Sequence, residues 1–555
     1  MQTTDHPGLR PDSRLTPELI AEYTATGLWV DEPLRVLLSD AAQRHPDRVA
    51  AVGHREGASE PQRLTYAELD RRVHQLACGL AALGVGPGDA VAVMLPNWVE
   101  FAALIFAINE VGAVYTGIPP AYGERELRVI LRRSGARVLV VPGDFRGGGQ
   151  LDLARRLRPE LDALEHVVVV GGPAAPAGGE LPFDTLLDAP DRGFPPVDPA
   201  ALCHVGFTSG TTGEPKGVMN TSQTLSAVMR NWTAHVGAEH LGDPMVNLIA
   251  SPVGHHTGFL WGVLLTTYQA GTGVYLDRWE PERAAGVIAA EGVTALFGAP
   301  TFLQDLLRTS LADRPDGPLR IAVLAGAPVP RSLPEVAGAA FGCDVCPAWG
   351  MTEFGIGISC APHLPAAVQL TDGVPVAGCE ARVLTADGRA GGAGESGELQ
   401  IRGAGLFLGY LGRPDATAEA IDADGWFTTG DVAQRGADGS IVLQGRTKDI
   451  VIRGGENIPV VDVESLLFEH PDVVAAAVVG VPDERLGERA CAVVVPAPGA
   501  RPTLDALCTY LSDRGLSKHF LPERLELVTQ LPMTASGKVR KVELRARLTA
   551  AGEEG

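Results

Sequence analysis

Lysine is nearly missing from this chain. Of its 46 basic residues only Lys216, Lys448, Lys518, Lys538 and Lys541 are lysine, and the rest are arginine. A coding bias toward GC-rich codons produces such a ratio, so a lysine that persists points to a site a planar guanidinium does not serve. Positive charge is also in short supply: 67 acidic residues against 46 basic ones leave a formal net charge of −21. That balance argues against non-specific binding to nucleic acid or to an anionic membrane surface. Long apolar runs are absent, none reaching the ~18 residues of a membrane span. The opening residues, Met1-Gln2-Thr3-Thr4-Asp5-His6, have neither a basic nor an apolar stretch, so no secretory signal and a cytoplasmic location are expected. The eight cysteines are scattered, which reads as a reduced protein without disulfide staples. Cys343-x-x-Cys346 followed by Cys360-x-x-His363 has zinc-like spacing. The segment between them carries another motif, and four separate buried or loop residues are the better reading.

What is present is a globular balance, 45% hydrophobic and 20% charged, over 555 residues. Thr65-x-x-Glu68 has the form of a capping box, and the helix it opens puts Leu69, Val73, Leu76, Ala77 and Leu80 on one face. Residues 90–95 read as a buried strand, 98–111 as a buried helix, 124–133 as a helix and 137–141 as a strand. Further strands are expected at 246–250, 295–297 and 321–325. Strands alternating with helices imply helix-covered, mostly parallel sheets, an α/β class. Residues 373–410 look like a small β-subdomain. After Gln444-Gly445-Arg446 the pattern becomes a compact α+β unit, with strands at 449–452, 473–479 and 490–495 and helices at 460–469 and 504–513. The expected division is therefore a large domain, 1–445, and a small one, 446–555.

One segment is dense in glycine and hydroxyls around a rare lysine: Phe207-Thr208-Ser209-Gly210-Thr211-Thr212-Gly213-Glu214-Pro215-Lys216-Gly217. Backbone N–H groups and hydroxyls in such a loop can wrap phosphate oxygens, with the lysine as a point charge. The Walker A spacing is absent. Four more segments follow in order. They are Trp349-Gly350-Met351-Thr352-Glu353; Gly425-Trp426-Phe427-Thr428-Thr429-Gly430-Asp431; Gly445-Arg446-Thr447-Lys448-Asp449 with Gly454-Gly455-Glu456-Asn457-Ile458; and Leu531-Pro532-Met533-Thr534-Ala535-Ser536-Gly537-Lys538. With these five motifs the chain resembles the acyl-adenylate-forming enzymes, and over its length it is most similar to the cyclohexanecarboxylate and aryl or medium-chain acyl-CoA ligase branch.

The resemblance implies ATP, Mg²⁺ and coenzyme A, a small-molecule carboxylic acid or oxyacid as substrate, and a mobile C-terminal domain; a homodimer is left open. It implies that Thr208, Ser209, Gly210, Thr211, Thr212, Gly213 and Lys216 hold the β- and γ-phosphates, that Glu353 binds the metal, and that Thr352 meets the α-phosphate. Asp431 would hold the ribose and Arg446 the ribose or a phosphate, with Gly326, Ala327, Pro328 and Trp349 flanking adenine and Gly350 and Met351 among the other cofactor-binding residues. Lys538 would bridge the attacking carboxylate and the α-phosphate. Lys448 would be the hinge, and a swing there would bring residues 454–457 to the thiol. Lys518 and Lys541 read as surface charges.

Pro252-Val253-Gly254-His255-His256-Thr257-Gly258-Phe259 resembles the motif that lines the acyl pocket. It implies roles for His255 in the pocket and the thiol approach, and for His256, Phe259, Phe297, Gly298 and Trp349 as pocket residues. Amino-acid-activating relatives carry an Asp here for the ammonium; none is present, and an unpaired buried ammonium is costly. Phe259, Trp261, Phe297 and Trp349 suggest an apolar or aryl acid. Where the family commonly has a Thr-His pair after the phosphate loop, this chain has Asn220-Thr221-Ser222. That departure keeps another acceptor open: a carrier-protein thiol, or an aryl amine in a nitrite-adenylating diazotase of natural-product biosynthesis. A non-catalytic ATP-binding scaffold is disfavoured by intact Lys538, Glu353 and Asp431.

Overall fold

A computed structural model describes residues 13–14, 16–147, 149–172, 178–208, 215–312, 314–453, 456–483, 485–534 and 537–553, with the side chains of 456, 457 and 550–553 outside that description. The helix–strand alternation closes into two large sheets. One has seven strands in the order Leu181–Pro182, His166–Val170, Val138–Pro142, Ala90–Val93, Val114–Gly117, Leu202–Thr208 and Lys216–Thr221. Its neighbours run parallel except for the last pair. Parallel strands are covered by helices on both faces, so they read as unbroken apolar runs; Val138–Pro142 is buried from end to end. The helix Tyr66–Ala82 carries the full capping box, with Thr65 and Glu68 bonding each other's backbone N–H groups.

The second sheet has nine strands. Its centre sets Asp344–Met351, Ile321–Leu324, Ala295–Gly298, Val246–Ile249, Thr272–Leu276 and Val49–His54 side by side and parallel. In sheets of this kind ligand sites form beyond the carboxyl ends of the strands. The loops that leave four adjacent strands there, after residues 249, 298, 324 and 351, are the ones that carry the motifs.

The β-subdomain is an antiparallel sheet of four strands, Cys379–Leu384, Ser396–Gly403, Phe427–Arg435 and Ile441–Arg446. It extends well past the expected limit at 410. The last sheet holds Glu456–Ile458, Val451–Arg453, Gly487–Pro496, Val473–Asp483 and Arg524–Leu527. Helices Val460–Phe468, Leu504–Asp513 and Lys541–Glu553 complete this smaller C-terminal domain. Lys541 departs from the reading as a surface charge: its side chain is 15% exposed and its Nζ lies 2.6 Å from Glu464 Oε1. Lys518 is exposed. No helix among the described residues is long and apolar enough to cross a membrane.

Candidate active site

Asp431 and Arg446 are direct cross-strand partners on Phe427–Arg435 and Ile441–Arg446. Such pairs stand within side-chain reach, and Arg446 Nε lies 2.9 Å from Asp431 Oδ1. The indole N–H of Trp349 donates to Asp431 Oδ2 at 2.9 Å. Burial pushes the Asp431 carboxyl upward, opposed first by Arg446 and then by the Trp349 bond. Trp349 is itself buried, so the residue expected to stack on adenine also orients the carboxylate expected to hold the ribose.

Glu353 is buried and accepts the Tyr410 hydroxyl at 3.0 Å. Lys216 Nζ sits 4.6 Å from the centre of the Tyr410 ring, a cation–π distance. Tyr410 reaches this point because residues 408–411 run along the strand behind the phosphate loop: Leu408 N–H donates to Met219 O and Leu411 N–H to Gly217 O. Burial raises the Glu353 carboxyl, and Arg446 and Lys216 pull it down. No motif pointed to Tyr410. Of the phosphate loop itself, Thr208 and Lys216 end the two flanking strands, while Ser209, Gly210, Thr211, Thr212 and Gly213 lie outside the described residues, as do Gly454 and Gly455.

Lys538 comes from the other domain and enters beside Gly326. A Cβ at Gly326 would lie 3.3 Å from Lys538 Cε, so the glycine leaves passage for the lysine stem. The lysine's own loop is tied locally, with Lys538 N–H on Thr534 Oγ1 at 3.0 Å. Burial, then Arg446, lowers Lys538 to about 8, against the pull of Asp431 and Glu353. Residues that are far apart in the sequence, Asp431, Arg446, Glu353 and Lys538, therefore act on one another through space.

His255 lies within the field of Lys538, which together with burial, the larger cause, lowers it to about 3. Its Nδ1 accepts the Thr257 N–H at 3.3 Å, which puts the ring proton on Nε2. His256 is also buried and lowered to about 4 by that burial, and its Nδ1 has no partner among the described residues. Behind it sits His204, a buried ring missed by motif reading. It lies 5.7 Å from His256, 4.4 Å from Phe259 and 5.4 Å from Tyr115, with Asn220 Nδ2 3.4 Å from its Nδ1. A Cβ at Gly206 would meet both His204 Cε1 (2.9 Å) and Thr352 Cγ2 (3.0 Å), so this ring cluster abuts the Thr352 motif. Phe297 stacks on Trp261 and abuts Trp232, and the Phe302 ring stands over Gly298. Lys448 is exposed, just past the end of the Ile441–Arg446 strand. Among the described residues the zinc-like set brings no three ligand atoms close enough to share an ion: the Cys360 thiol is within reach of the carbonyls of Val368 and Thr371, and His363 faces His235.

Asn97 fixes the histidine loop. Its Nδ2 donates to the carbonyls of Ile249 (2.9 Å) and Ser251 (3.1 Å), and its Oδ1 accepts the Val253 N–H at 2.9 Å. An amide bonding an otherwise bare loop backbone is readable only in three dimensions. Asn97→Leu leaves these buried groups unpaired and is expected to cost about 1–3 kcal/mol, measured as a lower urea midpoint at unchanged m-value.

The AMP-binding enzyme family matches residues 38–411, and its C-terminal domain matches residues 462–538. The chain is 33% identical over 538 residues to a medium-chain fatty-acid–CoA ligase of Escherichia coli (strain K12), covering 95% of this chain and 92% of that one. It is 35% identical over 529 residues to the salicyl-AMP ligase / salicyl-S-ArCP synthetase of Mycobacterium tuberculosis, covering 94% and 92%. The crystal structure of the anthranilate CoA ligase AuaEII in complex with anthranoyl-AMP superposes with a TM-score of 0.86 at 25% identity, covering 95% of this chain and 98% of that one. The chain therefore belongs to the AMP-binding enzyme family, as an AMP-forming acid–thiol ligase of the acyl-adenylate-forming superfamily.

Proposed function

We propose that this enzyme adenylates an apolar or aryl carboxylic acid with ATP and Mg²⁺, releasing pyrophosphate, and passes the acyl group to coenzyme A. The observation that carries the reading is the convergence of Lys538 with Asp431, Glu353 and Arg446. Two anions must meet in the first half-reaction, so positioning and charge neutralisation dominate. Each Asp431 oxygen already accepts one N–H, and a carboxylate has about four acceptor sites, which leaves capacity for both ribose hydroxyls. Glu353 fits a hard cation: it is a buried carboxylate whose charge is disfavoured by burial, beside the lysine of the phosphate loop. Bound there, Mg²⁺ would neutralise phosphate charge. Thr208 and Lys216, with the loop between them, would hold the β- and γ-phosphates, and Thr352 the α-phosphate. Lys538 would bridge the carboxylate oxygen and the α-phosphate. Residues 446–555 would then turn about Lys448, withdrawing Lys538 and bringing residues 454–457 to the thiol path beside His255.

The bridging role needs the ammonium form. With Lys538 at about 8 in the free enzyme, the charged form is complete below that pH and is lost as pH rises through it. The kcat/KM for pyrophosphate release should therefore fall above about pH 8, while kcat, which reports the ATP-bound complex, should hold to higher pH because phosphates favour the ammonium. His255, neutral above about 3, contributes no acid limb. A kcat/KM profile flat through pH 10 would show that burial and Arg446 do not lower Lys538 in the free enzyme.

A second reading has its own observation. The polar rings of His204 and His256, with Asn220, place hydrogen-bonding groups where an apolar floor would suit a fatty acid. They favour a polar aryl acid loaded on a carrier protein, or an oxyacid such as nitrite passed to an amine. Pyrophosphate release screened over alkyl and aryl acids plus nitrite, with and without coenzyme A, separates these. Release with aryl acids and a thioester with coenzyme A supports the first reading; release with nitrite alone ends it.

A further inference from the structure

A second set of metal-ligating side chains stands on elements the ATP site does not use. On the helix Tyr66–Ala82, His74 and Cys78 are one turn apart and share a face. Asp191 arrives from the segment that follows the short helical stretch Phe183–Asp188. That stretch lies tight against the helix because residue 79 is glycine: a Cβ there would come within 2.3 Å of the Leu186 carbonyl oxygen. His74 Nε2 is 2.7 Å from Asp191 Oδ1 and 3.8 Å from Cys78 Sγ. One ligand atom from each of the three lies within 4.8 Å of the others. On the opposite side of the ring, His74 Nδ1 is 2.6 Å from Glu110 Oε1, and the other Glu110 oxygen accepts Arg35 Nε at 2.7 Å.

This is the order of groups in a carboxylate–histidine–metal arrangement. The Nδ1 proton goes to the fixed Glu110 carboxylate, and Nε2 holds a second proton toward Asp191; a bound cation would take the place of that second proton, while Glu110 keeps the ring oriented and raises its basicity. Nitrogen, thiolate and carboxylate donors together select a borderline cation such as Zn²⁺ over Mg²⁺ or Ca²⁺. Thiolate and carboxylate also cancel its charge. Donors placed 2.0–2.3 Å from an ion sit roughly 3.3–3.8 Å apart, so the Asp191 carboxylate has to shift by about 1 Å. Its side chain is 89% exposed and free to do so. The Arg192 carbonyl oxygen, 3.9 Å from Cys78 Sγ, or a water completes the shell.

We propose that His74, Cys78 and Asp191 bind one zinc-class divalent cation, with Glu110 orienting the ring, and that the ion fastens the segment after residue 188 to the helix. The test is titration of the metal-stripped full-length protein with Co²⁺ alone. One equivalent should bind with a thiolate-to-cobalt charge-transfer band, displaced by Zn²⁺ and unaffected by excess Mg²⁺. Cys78→Ser should abolish the band while pyrophosphate release persists. Asp191→Asn, a change at an exposed side chain, should weaken Co²⁺ binding roughly tenfold or more, and it decides the matter should Cys78→Ser fail to fold. Absence of a thiolate band overturns the proposal. So does a band that survives in Cys78→Ser, which would assign the cobalt to another cysteine, or an unchanged affinity in Asp191→Asn.

Discussion

Lys538→Ala is expected to slow pyrophosphate release by about a hundred- to a thousandfold, the size of effect seen when one preorganised charge-stabilising donor is removed. Thioester formation from a supplied acyl-adenylate should persist near the native rate. The split follows from the geometry. Lys538 is buried within the field of Asp431 and Glu353, its stem beside Gly326, and the proposed second half-reaction withdraws that loop. Lys538→Arg should restore little. A planar fork cannot sit between two anions as a compact ammonium does. Rapid-quench measurement of each half-reaction checks this; an equal loss in both would end the domain-alternation picture.

Glu353→Gln should be next in size. The amide keeps the shape and still accepts the Tyr410 hydroxyl, so what it removes is the charge. A neutral ligand holds a hard cation weakly. The Mg²⁺ concentration for half-maximal pyrophosphate release should rise, and kcat/KM for ATP should fall by about tenfold to a hundredfold. Stability in the absence of ATP should hold or rise, because a buried charge has been deleted. Tyr410→Phe, which leaves the charge and removes one hydrogen bond, should have the smaller effect. A native Mg²⁺ requirement in Glu353→Gln would take the metal away from this residue.

Much of the fold was legible because its signals are local. The Thr65 capping box and the apolar face behind it form the helix Tyr66–Ala82, and the expected helix at 504–513 is Leu504–Asp513 in the structure. Residues 344–351 gave no such signal. They include cysteine, proline and glycine without alternation, and become a strand because Ile321–Leu324 lies alongside with a free edge. The π-helical Thr257–Leu264, which carries Phe259 and Trp261, was likewise unreadable, since its apolar residues fit any buried segment. Lys541 was misread for a related reason: its partner Glu464 is on another helix, and burial of a long side chain depends on what packs over it.

The sequence by itself determined the family and, with it, the use of ATP. The motifs are runs of neighbouring residues, so their order and spacing can be read without knowing what surrounds them. Three of the five scarce lysines fall on those motifs. Only the tertiary structure decided the company they keep. Trp349 on Asp431, Tyr410 between Lys216 and Glu353, Asn97 on the histidine loop, and His204 against His256 and Asn220 join residues far apart in the chain. Their meeting is fixed by strand order in the two large sheets and by the packing of the β-subdomain sheet beside them. These are long-range pairings, and no local pattern encodes which loops they bring to the same carboxyl edge.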